Sequence, residues 1–372
     1  MFAFAAAAVL IISLAGSTLA HDENNVRQPG EKVERSMPVD PQATVTLCVA
    51  SGILKVRGSE KNEVHVSSLG AAKIEFRRID RTKDSSKPAT RVDVMVLDKT
   101  GVPNPRLDCQ AFADVEMDVP SGATVQIQTR DGDITIAGVS GAYAGSQNGD
   151  ITIERATKLV EAGSVGGSIY LRNSSGRINL SSAGGEVQVV NVRPATEEDG
   201  FEVGTVSGDI HLDQVSNPKV MAKTVNGRVM MTGPLAKSGY YGFTNMTGDI
   251  VLALPHDSSF QLNAKVSDKH DIVSDFKLTY LNEPPPPSAV RPRSPAPEAK
   301  PKEAKPKAPA PVAKAQPPQK RGPVEVPGPV GVERSTTVVV PYTLRRVNAV
   351  CGSGDATISV ASFGGTIRIK KI

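Results

Sequence analysis

One frame recurs along this chain and limits what it can become. It reads VQIQTRDGDITI at 125–136, VEAGSVGGSIYL at 160–171, FEVGTVSGDIHL at 201–212 and VMAKTVNGRVMM at 220–231. Counted from the central glycine, apolar residues stand seven and five before it and two and four after it, with Ser, Thr or Asn three before. Eleven glycines fit the frame: Gly52, Gly132, Gly149, Gly167, Gly176, Gly185, Gly208, Gly227, Gly248, Gly354 and Gly365. The alternation has the period of two of strands with one buried face. Dipeptides such as Asp131-Gly132, Asn148-Gly149 and Ser207-Gly208 are turn formers, because Gly reaches positive φ freely and Asn, Asp or Ser bonds the local backbone.

Hairpins would satisfy those observations equally well, so spacing has to decide. Gly167, Gly176 and Gly185 are nine apart, and the apolar pair that follows one glycine is also the pair that precedes the next. One side of a coil is therefore about nine residues. Steps of 17 and 18 from Gly132 to Gly149 to Gly167 are two sides, and later steps of 23, 19 and 21 add a longer corner. This register predicts an all-β, single-stranded solenoid in which equivalent residues stack coil upon coil. Stacking also predicts a polar ladder three residues before the glycines, at Thr129, Ser146, Ser164, Asn173, Ser182, Thr205, Thr224, Asn245 and Ser362, with Val49 and Cys351 as exceptions.

In chain order, residues 1–20 are uncharged and end in small residues, with Thr18 and Ala20 placed for cleavage, so they read as a secretory signal peptide without its usual basic start. Residues 21–42 are expected to be a disordered leader. The solenoid is expected over 43–282, its N-terminal part (43–120) less regular and cap-like and its coils regular over 121–282. Residues 283–334 hold 16 of the 28 prolines with ten Lys or Arg against five Glu, the composition of an extended linker. Strand patterns return over 335–372. So short a piece cannot be stable alone, and it is expected to dock as the last coils of the same solenoid. The alternative is pairing with another molecule's open edge.

The linker carries more than the whole net charge of +4, which leaves about −1 for the body and argues against a nucleic-acid surface. Three cysteines in an exported chain permit one intramolecular disulfide, with Cys48–Cys109 preferred over other pairings; three buried thiols are the alternative.

The segments at 220–229 (VMAKTVNGRV) and 205–212 (TVSGDIHL), with MTGDIVLALP at 246–255 and FGGTIRIKK at 363–371, resemble the bacterial "putative adhesin" family of exported β-solenoid proteins. The resemblance covers roughly 43–282 and 335–372. It implies a right-handed β-helix-like structure in the cell envelope and brings no catalytic residues with it. The long Pro-rich insertion before the last coils departs from the family pattern.

No nucleophile elbow, zinc-protease, phosphate-loop or C-x-x-C motif occurs. The constellation to weigh is the aspartate after the glycine: Asp133, Asp150, Asp209, Asp249 and Asp355. In adjacent coils Asp133 and Asp150 would stack about 5 Å apart, a spacing compatible with a retaining glycosidase pair or a shared Ca²⁺. The same position is Ser168, Arg177, Glu186, Arg228 or Thr366 elsewhere, the behaviour of a solvent-facing turn. Asp133 and Asp150 thus remain weak metal candidates. No catalytic residue and no cofactor is expected. The expected function is a non-enzymatic envelope protein, in the periplasm or at the cell surface, that binds or scaffolds an envelope component, wall polymer or surface protein. The alternatives are a polysaccharide-active β-helix enzyme and a self-assembling filament. The basic linker reads first as a solvated spacer, with contact to an anionic envelope surface as the alternative.

Overall fold

The computed structural model describes residues 32–80, 87–97, 109, 111–267, 269–281 and 344–372. The expected signal peptide, the leader up to residue 31, the Pro-rich linker and the strand expected at 336–340 lie outside the described residues.

An N-terminal group comprises β1 (Lys32–Ser51), β2 (Leu54–Ser59), β3 (Glu63–Leu69), β4 (Lys73–Arg78), β5 (Ala89–Leu97) and β6 (Asp114–Pro120). Seven coils follow, each a pair of strands. They are β7 (Thr124–Asp131) with β8 (Ile134–Ala137), β9 (Gly141–Ser146) with β10 (Ile151–Glu154), β11 (Leu159–Ser164) with β12 (Ile169–Ser175), and β13 (Arg177–Ser182) with β14 (Val187–Arg193). Then come β15 (Gly200–Thr205) with β16 (Ile210–Val215), β17 (Lys219–Asn226) with β18 (Val229–Thr232), and β19 (Tyr240–Thr247) with β20 (Ile250–Leu254). The body ends in β21 (Phe260–Ser267), β22 (Ile272–Ser274) and β23 (Thr279–Tyr280), and the tail forms β24 (Leu344–Cys351), β25 (Ala356–Gly364) and β26 (Ile367–Lys371).

Odd-numbered strands from β7 to β19 pair in parallel with one another and with β1 to make one wall. Even-numbered strands from β8 to β20 make the facing wall with β2. These are called the odd and even sheets below. The result is a two-sided β-solenoid. Register never slips between regular coils: Ile134 and Ile136 lie beside Ile151 and Ile153, which lie beside Ile169 and Leu171. All six are buried. Each such side chain removed from water contributes about 1.5–3 kcal/mol, so a single stacked core runs the length of the molecule.

The two corners of a coil are built differently. At the odd-to-even corner the glycines pack on each other: a Cβ added to Gly149 would meet the carbonyl of Gly132, one on Gly167 that of Gly149, and one on Gly185 that of Gly167. The column continues through Gly208, Gly227, Gly248 and Gly365. The small polar residue closes it. Ser164 Oγ donates to Gly149 O at 3.1 Å and accepts from Gly167 N at 2.9 Å, and Ser182 does the same one coil on. Thr205 and Thr224 also donate to the glycine carbonyl of the preceding coil, while Asn245 and Ser362 bond the glycine of their own turn.

Two of the eleven glycines do not belong to this column. Gly176 stands at the opposite corner against Lys158 O, and Gly354 lies in the turn between β24 and β25. The dipeptide before each looks the same in sequence because any tight turn selects it. Asn173, placed in the ladder by sequence, likewise falls at the opposite corner. There, residues equivalent in register adopt left-handed backbone: Gly138, Arg155, Asn173, Asn191, Gln214 and Gly233. Asn191 Nδ2 bonds Asn173 Oδ1 at 2.8 Å along this second column.

The N-terminal end departs from the expectation of a leader disordered to residue 42, because β1 begins at Lys32. Its first half pairs antiparallel with β3, and its second half pairs in parallel with β5 and β7 in the odd sheet. Val33 and Met37 pack against the core, which supplies the burial that fixes the segment. Pro38 and Pro41 fall at the crossing between sheets, where the ladder ends or breaks and a missing N–H costs least.

Outermost on the odd sheet is the antiparallel β4–β5 hairpin. Asp80 closes it, accepting from Thr90 Oγ1 at 2.7 Å, Arg91 N at 2.8 Å and Arg78 Nε at 2.6 Å. The Thr90 hydroxyl foremost, with Arg78 and the two backbone amides, holds the carboxyl below the ordinary aspartate value of 3.8. A depressed folded-state pKa contributes stability that is complete above the ordinary value and is lost as pH falls from there through the folded-state value. Asp80→Asn should therefore lower the unfolding midpoint at neutral pH by the worth of a charged hydrogen bond, about 1.5–3 kcal/mol. Against wild type, the difference should shrink below about pH 4; a difference independent of pH would refute this account.

The tail was expected to dock as the last coils of the same solenoid; it docks among them, with β25 and β26 one coil inside the end and β24 near it. β25 lies between β19 and β21, and β26 between β20 and β22. β21 in turn is held between β25 and the antiparallel β24, whose other neighbour is β23. Among the described residues, each end of the odd sheet thus finishes in an antiparallel strand.

Candidate functional site

The outward-facing residues of the odd sheet form three columns along the coils. Four residues before each corner glycine stand Gly145, Gly163, Ser181 and Gly204, adjacent in register on β9, β11, β13 and β15. With no side chain longer than a hydroxymethyl they form a floor. Six before the glycines stand Gln126, Tyr143, Glu161, Asn179, Glu202 and Met221, a polar wall with one aromatic ring. Two before them, beside the floor, stand Gln147, Val165, Ala183 and Val206, and further along Val225 and Met246; Val165, Val206, Val225 and Met246 are 59%, 49%, 42% and 46% exposed and make a broken apolar wall at the corner.

Between the walls runs an open trough. A recess of about 290 Å³ lies over Gly145, Gly163 and Ser181; a second, of about 550 Å³, lies on the far side of the polar column against Leu159, Arg177, Gly200 and Lys219, and the two share Tyr143, Glu161 and Asn179. Across the four strands of its floor, at about 4.8 Å spacing, the trough is roughly 14 Å long. Glu202 pairs with Lys223 at 3.5 Å on its rim, both more than half exposed, so the pair adds little stability. At the N-terminal end Cys48 stands beside Gln128 on the outer face and is disulfide-bonded to Cys109. Cys109 lines a third recess of about 410 Å³ with Gln128, Gly145 and Gly163. The disulfide therefore straps the strand that borders the trough.

The structure places the aspartates elsewhere, at the glycine corner, and occupies them with backbone. Asp133 Oδ1 accepts from Asp150 N at 3.0 Å, Asp150 Oδ1 from Ser168 N at 2.7 Å, Asp209 Oδ1 from Arg228 N at 2.7 Å and Asp249 Oδ1 from Thr366 N at 2.9 Å. Each carboxylate binds the next coil's turn, which explains both the recurrence of Asp there and the tolerance for other residues. Asp131 accepts from Asn148 Nδ2 at 2.6 Å and Arg130 Nε at 2.8 Å, and these, Asn148 first, hold its carboxyl low. Among the described residues no group of three or more His, Cys, Asp or Glu is gathered as a metal ion would need. Tyr241 and Phe243 are core, with Tyr241 Oη accepting from Ala236 N, whereas Tyr240 is 40% exposed.

The trough was missed in the sequence, although a signal existed. Reading the frame by column rather than by repeat brings Gly145, Gly163, Ser181 and Gly204 together at one position, with Gln147, Val165, Ala183 and Val206 two further on.

Stacked coils with a groove along one wall define a two-sided β-solenoid. The chain belongs to the Toastrack DUF4097 family, whose model matches residues 50–279. None of the curated proteins matches it. Among solved structures it is similar to a "putative adhesin" from Parabacteroides distasonis, at 10% identity and TM-score 0.38 over 61% of this chain and 91% of that one. A "putative cell adhesion protein" from Clostridium sporogenes aligns at 11% identity and TM-score 0.23 over 92% and 100%, respectively. A "putative adhesin" from Parabacteroides merdae aligns at 8% identity and TM-score 0.34 over 61% and 90%.

Proposed function

We propose that this is an exported, non-enzymatic adhesin-like module of the cell envelope, and that the trough on the odd sheet binds an extended wall polymer. The trough carries the reading: a floor of Gly145, Gly163, Ser181 and Gly204 lets a chain approach the backbone closely. Gln126, Tyr143, Glu161 and Asn179 offer hydrogen bonds on one side, and Val165, Ala183 and Val206 offer apolar contact on the other. An elongated, shallow site suits a polymer better than a small molecule, for which enclosed pockets are usual. The corner carboxylates support a structural role, since their oxygens already accept backbone hydrogen bonds.

Filling the floor tests this. Ser181→Arg projects into solvent and should leave the fold and its melting unchanged, as should Gly163→Arg, whose Cβ asks only the Ser181 hydroxyl, 3.3 Å away, to rotate aside. Cosedimentation with insoluble cell-wall polymer should fall at least tenfold relative to wild type. Equal sedimentation of wild type and variants would remove the trough as the binding face. Polymer hydrolysis by the purified chain would overturn the non-enzymatic reading.

A further inference from the structure

The position of the tail inside the solenoid, rather than at its end, is unexplained by a binding role. The glycine column gives a reason for it. A coil stacked on Gly248 must carry a glycine at that corner, because a Cβ there would meet the Gly248 carbonyl. The tail supplies Gly365. The coil that follows β20 in sequence does not: β21 and β22 align with β25 and β26 so that Lys269 or His270 falls at the corner. The body therefore leaves a slot between β19–β20 and β21–β22 that its own next coil cannot close.

The tail fits this slot on every side. β25 pairs with β19 from Tyr240↔Thr357 to Thr247↔Gly364 and with β21 from Phe260↔Ala356 to Val266↔Ser362. Ile367 and Ile369 continue the core between Ile250 and Leu252 on β20 and the short β22. β24 and β25 straddle β21, and their turn is fixed by Ser259 Oγ, which accepts from Gly354 N at 2.9 Å and Asp355 N at 3.2 Å. None of these contacts depends on which molecule donates the tail. The 62 residues between Leu281 and Leu344 have a maximal reach of roughly 200 Å, so covalent connection does not force the tail into its own slot.

We propose that the tail is exchangeable, and that the tail of a second copy of this chain fills the slot, joining copies by strand exchange. The same contacts form in cis and in trans, so the balance is set by the concentration of copies against the effective concentration the tether gives. Crowding on a surface favours the trans state.

Cross-linking of full-length chains tests this. Thr244 and Ala361 are register partners on the outer face of the odd sheet. One tagged copy carries T244C only and a differently tagged copy A361C only; the two are unfolded, mixed, refolded and oxidised, and cross-links are assigned by peptide mapping. Exchange predicts a 244-to-361 disulfide between copies whose yield rises with protein concentration, at least tenfold above a control mixture pairing A361C with Q126C. A T244C/A361C chain shows that the site closes. The proposal is overturned if that double variant cross-links within one chain while the mixed single variants give no more product than the control.

Discussion

Replacing Gly149 by alanine should cost about 3 kcal/mol or more and lower the unfolding midpoint by several degrees, whereas Gly145→Ala, four residues away, should change it by less than about 0.5 kcal/mol. Neither Gly149 nor Gly145 has a positive φ, so left-handed backbone does not separate the two sites. What separates them is the nearest atom. A Cβ on Gly149 would meet the Gly132 carbonyl far inside the 3.0 Å that real Cβ contacts respect, and that carbonyl is backbone fixed in a stacked turn. A Cβ on Gly145 would meet only Gln128 Cγ, at 3.8 Å. The strain at Gly149 cannot relax without lifting one coil from the next, so the loss should spread to hydrogen exchange in β8 and β10. Equal melting of the two variants would refute the close-packed glycine column.

Opening the Cys48–Cys109 bond should be at least as damaging. The bridged residues are 61 apart, and a closed loop of that size is worth about 4 kcal/mol in chain entropy. Cys48 lies on β1, which links the N-terminal hairpin to the regular coils through β5 and β7. A C48A/C109A chain should therefore melt roughly 10 °C lower and lose amide protection first in β1 and β5. Reductant should lower the wild-type midpoint in the same way and leave the variant's alone, because Cys351 is free and buried. A wild-type midpoint indifferent to reductant would refute the strap.

Much of this architecture was legible because the same physics acts in every coil. Alternation placed the strands, and the polar residue three before the glycine placed the ladder at Ser146, Ser164 and Ser182. What stayed hidden depended on relations between distant residues. Gly176 looked like Gly167 because both open a strand, although they stand at opposite corners. Residues 32–42 looked like a leader because their charges and prolines conceal Val33 and Met37, whose burial depends on the core they meet. The tail carried the right frame, yet nothing local to β25 shows that Lys269 and His270 leave room for it two coils back. The trough is a property of four neighbouring coils and of no single one.

The corners also set where such a chain can change length. From the ladder residue to the first buried residue of the next strand the count is five in every regular coil, as in Ser146 to Ile151, Ser182 to Val187 and Thr224 to Val229. Across the other corner the interval runs from six, Ile136 to Ala142, to twelve, Val189 to Phe201. Where it is longest, Asn217 donates to Gly176 O and Asp199 O and ties the excursion down. The molecule is thus bound like a book: a spine of constant pitch on one edge and a free margin on the other. Insertions, grafted epitopes and inherited length differences belong to the margin, and a single added residue in the spine would throw every later page out of register.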